Sequence, residues 1–228
     1  MVPAGSSHPR RDGRRERWRA HREARRQQLI AAVIAAVTER GAGLGVDDIS
    51  SVSGIAKPVF YRYFEDKADL YLAVGRAVAE AVVAKTTAAI DTATSPRAML
   101  EAGIDAYVGC IEADPELYRF VTQNRALTTS AAGDLLGDYA TVVGMHATRV
   151  IVTFRRASEL DAGMAETWGF GIVGLVRAAV DRWLEQGRPI SRSALVTYLT
   201  GLVWQGLVGF GAEAGEPAPA RRGRRAAG

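Results

Sequence analysis

The chain is poor in the residues from which most metal centres and nucleophilic active sites are built. Its single cysteine, Cys110, excludes an internal disulfide framework and a multi-cysteine metal site, and fits a reducing cytoplasm. The three histidines form no Cys/His cluster with ligand spacing. His8 and His21 lie in an Arg-rich N-terminal stretch, and His146 alone follows a helical pattern, where it reads as an ordinary core or surface residue. No glycine loop followed by Lys-Ser/Thr is present, and Gly169 to Gly174 lies in a helical run with no preceding strand, so neither phosphate-cradle motif is supported. Long uncharged apolar runs are missing too. Trp168 to Val180 is interrupted by Arg177 soon after Glu166, and Leu195 to Phe210 has only 16 residues with Gln205 and three glycines inside it. Both fall short of the roughly 20 apolar residues a bilayer span needs. No apolar stretch precedes residue 29, so no secretory signal is expected. These absences argue against an enzyme, a resident cofactor, a metal site and a membrane protein.

What is present is a helix-rich chain of 228 residues, 48% hydrophobic, with abundant Ala and Val. The formal charge of +4 is unevenly spread. Residues 1–26 carry nine Arg against three acids and residues 213–228 carry four Arg against two, leaving 16 basic and 20 acidic residues, or −4, for 27–212. A slightly acidic body with basic ends points to an anionic polymer as partner. Residues 1–23 are expected to be a disordered Arg-rich arm, with Arg14, Arg15, Arg17, Arg19 and Arg22 placed to reach phosphates or a minor groove. Trp18 is expected to cap the helix that follows, and residues 213–228 to form a disordered basic tail.

The informative stretch runs from Val46 to Lys67. Ile49, Val52 and Ile55 recur at three-residue spacing, Ser53-Gly54-Ile55 breaks the pattern, and Lys57-Pro58 restarts a helix with proline in its first turn. In the second helix Phe60 and Phe64 are four apart and pack inward. At about 100° per residue Pro58, Val59 and Arg62 then point outward, with Lys57, Tyr61 and Tyr63 on the flanks. Two short helices in this relation make a helix-turn-helix whose second member suits a major groove. The bland alternative is a pair of short core helices. Against it stand the amphipathic helix before the unit (Leu29, Ile30, Val33, Ile34, Val37, ending at Gly41) and the arginines before that.

With these motifs in order, residues 24–75 resemble the DNA-binding domain of TetR/AcrR-type regulators. The matching features are the leading helix closed by Gly41, Val46-Asp47-Asp48-Ile49, and Tyr61-Arg62-Tyr63-Phe64-Glu65-Asp66-Lys67. Three positions depart from the family pattern: Gly45-Val46 stands where a capping Thr is usual, Ala56 where a Ser precedes the reader helix, and no aromatic residue follows Gly41. The resemblance implies that Tyr61, Tyr63 and Lys67 hold the phosphate backbone.

Beyond this unit, helices are expected over 67–92, from Pro96 to about Ala113 after the cap Ser95, and from Pro115 after Asp114. Further helices are expected over 131–157, 161–186 and 191–211, with breaks at Thr128–Ser130, Ser158 and Gly187-Arg188-Pro189. The expected fold is all-α, with a three-helix DNA-binding domain (24–67) and a larger helical ligand-binding and dimerisation domain (68–212). The resemblance implies a homodimer joined through 163–186 and 191–211, a double-stranded DNA operator, and a small-molecule effector. Met99, Tyr107, Phe120, Met145, Phe154 and Trp168 are the expected pocket lining, and their apolar character favours a hydrophobic or acyl-type ligand. The function expected is a repressor released from a palindromic operator. The alternative is a DNA-binding protein without ligand control, acting through protein partners or by non-specific coating.

Overall fold

The computed structural model describes residues 9–123, 135–155 and 162–213, and the breaks expected at Thr128–Ser130 and Ser158 lie outside them. The described elements are all helices: α1 Pro9–Arg40, α2 Val46–Ser53, α3 Lys57–Tyr61, α4 Lys67–Thr92, α5 Pro96–Ala113, α6 Pro115–Gln123, α7 Leu135–Arg155, α8 Ala162–Glu185 and α9 Arg192–Glu213. None of them is long and apolar enough to cross a membrane. Two compact units result, one formed by Met1–Lys85 with Gly109–Val142 and the other by Thr86–Val108 with Val143–Gly228. This partition differs from the division expected at 67/68, because the first half of α4 (Leu70, Tyr71, Val74) and α6 (Phe120, Val121) pack into the core of the N-terminal helices.

In the first unit Leu29, Val33, Val37, Ile49, Phe60 and Phe64 share a core with Leu70 and Val74. Gly41 closes α1 at φ 103°, its N–H donating to the Val37 carbonyl at 2.8 Å. The capping Thr that Gly45 replaces is substituted from the other direction: the Asp48 carboxylate accepts from the Gly45 N–H at 2.9 Å. Gly54, at φ 66°, turns the chain toward α3, whose cap position Ala56 offers no side-chain bond. The Ser50 hydroxyl instead donates to the Ile55 carbonyl at 2.7 Å and steadies the turn. Asp66 accepts from the Asp69 N–H at 2.8 Å and so caps α4.

One expectation is corrected here. Residues 9–22 are not a disordered arm; α1 runs unbroken from Pro9, with proline as its first residue. Arg, Ala, Glu and Gln are good helix formers, and this extension continues a helix already nucleated by the core. Trp18 therefore lies within the helix and caps nothing; it is 62% exposed.

In the second unit Ile151, Ala165, Val203 and Leu207 form a core with Leu100, Trp168 and Ile172 against them. Helices α7 and α8 cross closely at Gly169, where an added Cβ would lie 2.6 Å from the Gly144 carbonyl oxygen. Gly187 and Arg188, at φ 73° and 61°, make the turn into α9, and the Trp183 indole N–H donates to the Ile190 carbonyl at 2.9 Å. Ser191 caps α9 by accepting from the Ala194 N–H at 3.2 Å. Arg192 then joins α9 to α5, with Nε donating to Asp105 Oδ1 at 2.8 Å and Nη2 to Oδ2 at 2.6 Å.

Candidate nucleic-acid interface and effector domain

Helix α3 is anchored by Phe60 and followed by Phe64, 0% and 2% exposed, so its opposite side is presented outward on a fixed base. Arg62 stays helical at φ −75°, ψ −24°, which carries the α3 register one residue past its end. Of the sequence-derived interface residues, Lys57, Pro58, Tyr61, Arg62 and Lys67 are exposed. Val59 and Tyr63 are half-buried and packed against the core. Lys57 Nζ lies 2.8 Å from Asp47 Oδ1, and this hydrogen-bonded carboxylate raises the lysine pKa above its ordinary value. The ion pair holds the lysine head at the start of α3. Lys67 Nζ sits 5.1 Å from the centroid of the Tyr71 ring. Tyr71 donates its hydroxyl to the Leu44 carbonyl at 2.6 Å, and burial, with Asp48 and Tyr61 adding to it, pushes its pKa up to about 12.

The first unit holds a set of supports that sequence reasoning missed. Asp114 and Glu116, at the start of α6, reach the end of α1: Thr38 donates to Asp114, and the Ala42 N–H donates to Glu116 Oε2 at 3.0 Å. Phe120, 1% exposed, meets Tyr71 edge-to-face with ring centroids 5.0 Å apart. The Asp114-Pro115 pair signalled only a helix start, and Asp114 does accept from the Leu117 N–H at 2.9 Å. Its second partner, far away in sequence, left no local trace.

The residues expected to line a pocket do not all gather. Phe120 belongs to the core of the first unit, because α6 turns it onto Tyr71. Met99, Tyr107 and Trp168 lie in the second unit and are half-buried, with Trp168 against the Ile151 core. Met145, in the same unit, is 51% exposed, and the Phe154 side chain is outside the described set. Also buried in that unit are the hydroxyls of Thr86 and Thr200, which have no hydrogen-bond partner among the described residues. No group of three or more His, Cys, Asp or Glu among the described residues is placed to hold a metal ion. Helix α9 exposes Tyr198 (67%), Leu202 (61%) and Val208 (44%), and α8 exposes Leu175 beside Gly171 and Gly174. Tyr198, Leu202, Gly206 and Gly209 fall on one side of α9 by their spacing.

Residues 29–74 match the model described as bacterial regulatory proteins, tetR family, and residues 85–219 match the tetracyclin repressor-like C-terminal domain. An uncharacterised HTH-type transcriptional regulator of Mycobacterium tuberculosis is 34% identical over 203 residues, 87% of this chain and 84% of its own length. The HTH-type transcriptional activator FasR of Mycolicibacterium smegmatis is 31% identical over 196 residues, 86% of this chain and 88% of its own. The fold is shared with FadR from Bacillus subtilis, solved in complex with stearoyl-CoA. The TM-score is 0.61 and the identity 21%, over 79% of this chain and 98% of that one. The chain belongs to the tetR family and is a DNA-binding transcriptional regulator.

Proposed function

We propose that the protein is a cytoplasmic, homodimeric repressor that holds a palindromic operator and is released from it by a small hydrophobic molecule of acyl type. The observation that carries the DNA reading is the exposed set Lys57, Pro58, Tyr61 and Arg62 on a helix pinned by two buried phenylalanines. Arg62 and Lys57 donate to guanine O6 and N7, and Tyr61, Tyr63 and Lys67 fix the duplex backbone. Two copies joined through 163–186 and 191–211 present two reader helices, and the exposed Tyr198, Leu202 and Leu175 supply the apolar seam. The acyl-type effector is supported by the stearoyl-CoA of Bacillus subtilis FadR and by the apolar surroundings of Trp168. The buried hydroxyls of Thr86 and Thr200, without a partner among the described residues, offer hydrogen bonds to a polar group of such a ligand. For release to follow, the effector must bind the DNA-free arrangement more tightly, and a tenfold loss of DNA affinity corresponds to a coupling of about 1.4 kcal/mol.

The test is fluorescence anisotropy with a labelled duplex from the region upstream of the protein's own gene, titrated with stearoyl-CoA and, separately, with stearate. Release by either ligand, with scrambled duplex bound at least a hundredfold more weakly, is expected. Equal affinity for both duplexes would overturn the operator reading. Specific binding that neither ligand weakens would overturn acyl control alone.

A further inference from the structure

We propose that the N-terminal part of α1 is a second DNA-contacting surface, a rigid cationic rod that binds the phosphates flanking each half-site; this rests on the reading that α3 enters the duplex. Residues 9–26 carry nine Arg against three acids, while the body of the chain between 27 and 212 is net negative. Residues 16–24 are exposed throughout, so this part of the helix buries no side chain in its own chain. Its root is nevertheless fixed on the reader unit. Arg26 stacks over the Phe64 ring at 4.7 Å and lies 3.5 Å from Asp69, and Arg22 sits 6.0 Å from the Tyr63 centroid and 5.8 Å from that of Trp18. Arg19, Arg22 and Arg26 are spaced to fall along one line of the helix. The residues that tie the rod down are thus next to the Tyr63 expected at the backbone.

Dimensions select the mode of binding. A helix is about 10–12 Å across with its side chains, and a minor groove is about 6 Å wide, so the rod does not enter that groove as an extended arm would. From Arg22 back to Pro9 the helix measures about 20 Å, the length of roughly six base pairs along the duplex axis. A stacked guanidinium uses its faces on the rings and keeps its in-plane donors for phosphate oxygens, so the ring contacts of Arg22 are compatible with a phosphate partner. Phosphates carry no base code, so this surface extends the footprint and adds affinity without adding sequence preference.

The experiment compares two duplexes, one ending at the selected half-sites and one extended by about six base pairs of arbitrary sequence on each side, over a salt series. Wild-type protein is expected to bind the longer duplex at least tenfold more tightly whatever the added sequence. In Arg19→Gln/Arg22→Gln that gain should shrink, and the slope of log affinity against log salt should become shallower by about 0.9 for each phosphate that is no longer neutralised. Arg19→Lys/Arg22→Lys should retain most of the gain, because phosphate accepts a point charge. Circular dichroism checks that α1 is still helical. An unchanged ratio of long to short duplex in the Gln variant, or equal wild-type affinity for both lengths, overturns the proposal while leaving the reader helix intact. Failure of the wild type to bind either duplex overturns both readings together.

Discussion

Lys57 and Asp47 set the electrostatics at the mouth of the reader helix. With the carboxylate 2.8 Å away, Lys57 must release that ion pair before it can donate to a guanine. Asp47→Asn removes both that competition and a negative charge beside the duplex, and should lower Kd on scrambled DNA and more strongly on the specific site. A variant weaker than wild type would mean that Asp47 orients Lys57 for reading. Base reading and backbone holding separate by selectivity. Arg62→Ala should lower affinity for the preferred site by about 1–3 kcal/mol and relax one base pair per half-site, whereas Tyr61→Phe and Lys67→Ala should weaken all sequences alike. Val59 is a poorer probe than its helical angle suggested, because it is half-buried against the core and its truncation also loosens the unit. Tyr71 titrates in the folded protein at about 12, above its ordinary value of 10.0. Between those values the folded state holds a proton that the unfolded state releases, so its contribution to stability is complete below pH 10 and is lost as pH rises toward 12. Base-induced unfolding should show this loss in wild type and not in Tyr71→Phe, which instead should start about 1 kcal/mol lower at neutral pH through the missing bond to Leu44.

At the scale of elements, α6 fastens the reader unit, and its removal should be felt there. Phe120→Ala, emptying a fully buried site against Tyr71, should destabilise the first unit by about 3–5 kcal/mol in denaturant melts. A stable Phe120→Ala protein with altered effector affinity would return that residue to the pocket. Helices α7 and α8 depend on a missing side chain, and Gly169→Ala must move one of them away from the Gly144 carbonyl. A loss of about 1–3 kcal/mol is expected. What was legible beforehand at this scale was local. Ser95 and Asp114 cap the helices they were read to start, and Phe60 and Phe64 turn inward, because caps and i, i+4 spacing are properties of neighbouring residues. The clasp of α6 on α1 and the crossing at Gly169 join residues far apart in sequence and left no periodic signal. The arm misled for a different reason. Its lack of apolar residues excludes a packed helix, but it does not exclude a helix grown outward from a packed one.

For the whole molecule, the proposed assembly rests on the exposed apolar side of α8 and α9. Leu202 is the place to challenge it, being 61% exposed on α9. Leu202→Arg should place an unpaired charge in the seam and give monomers or aggregates by light scattering, and a wild-type-like dimer would put the seam elsewhere. A symmetric dimer with one exposed reader helix per chain imposes its two-fold axis on the DNA it prefers. Selection of bound sequences from a random duplex pool tests that consequence directly. The expected result is an inverted repeat whose half-site centres are separated by a whole number of helical turns, about 10 base pairs each, and whose guanine contacts vanish in Arg62→Ala. Recovery of a single unrepeated site, or of no enriched sequence at all, would contradict a dimeric reader built on α3.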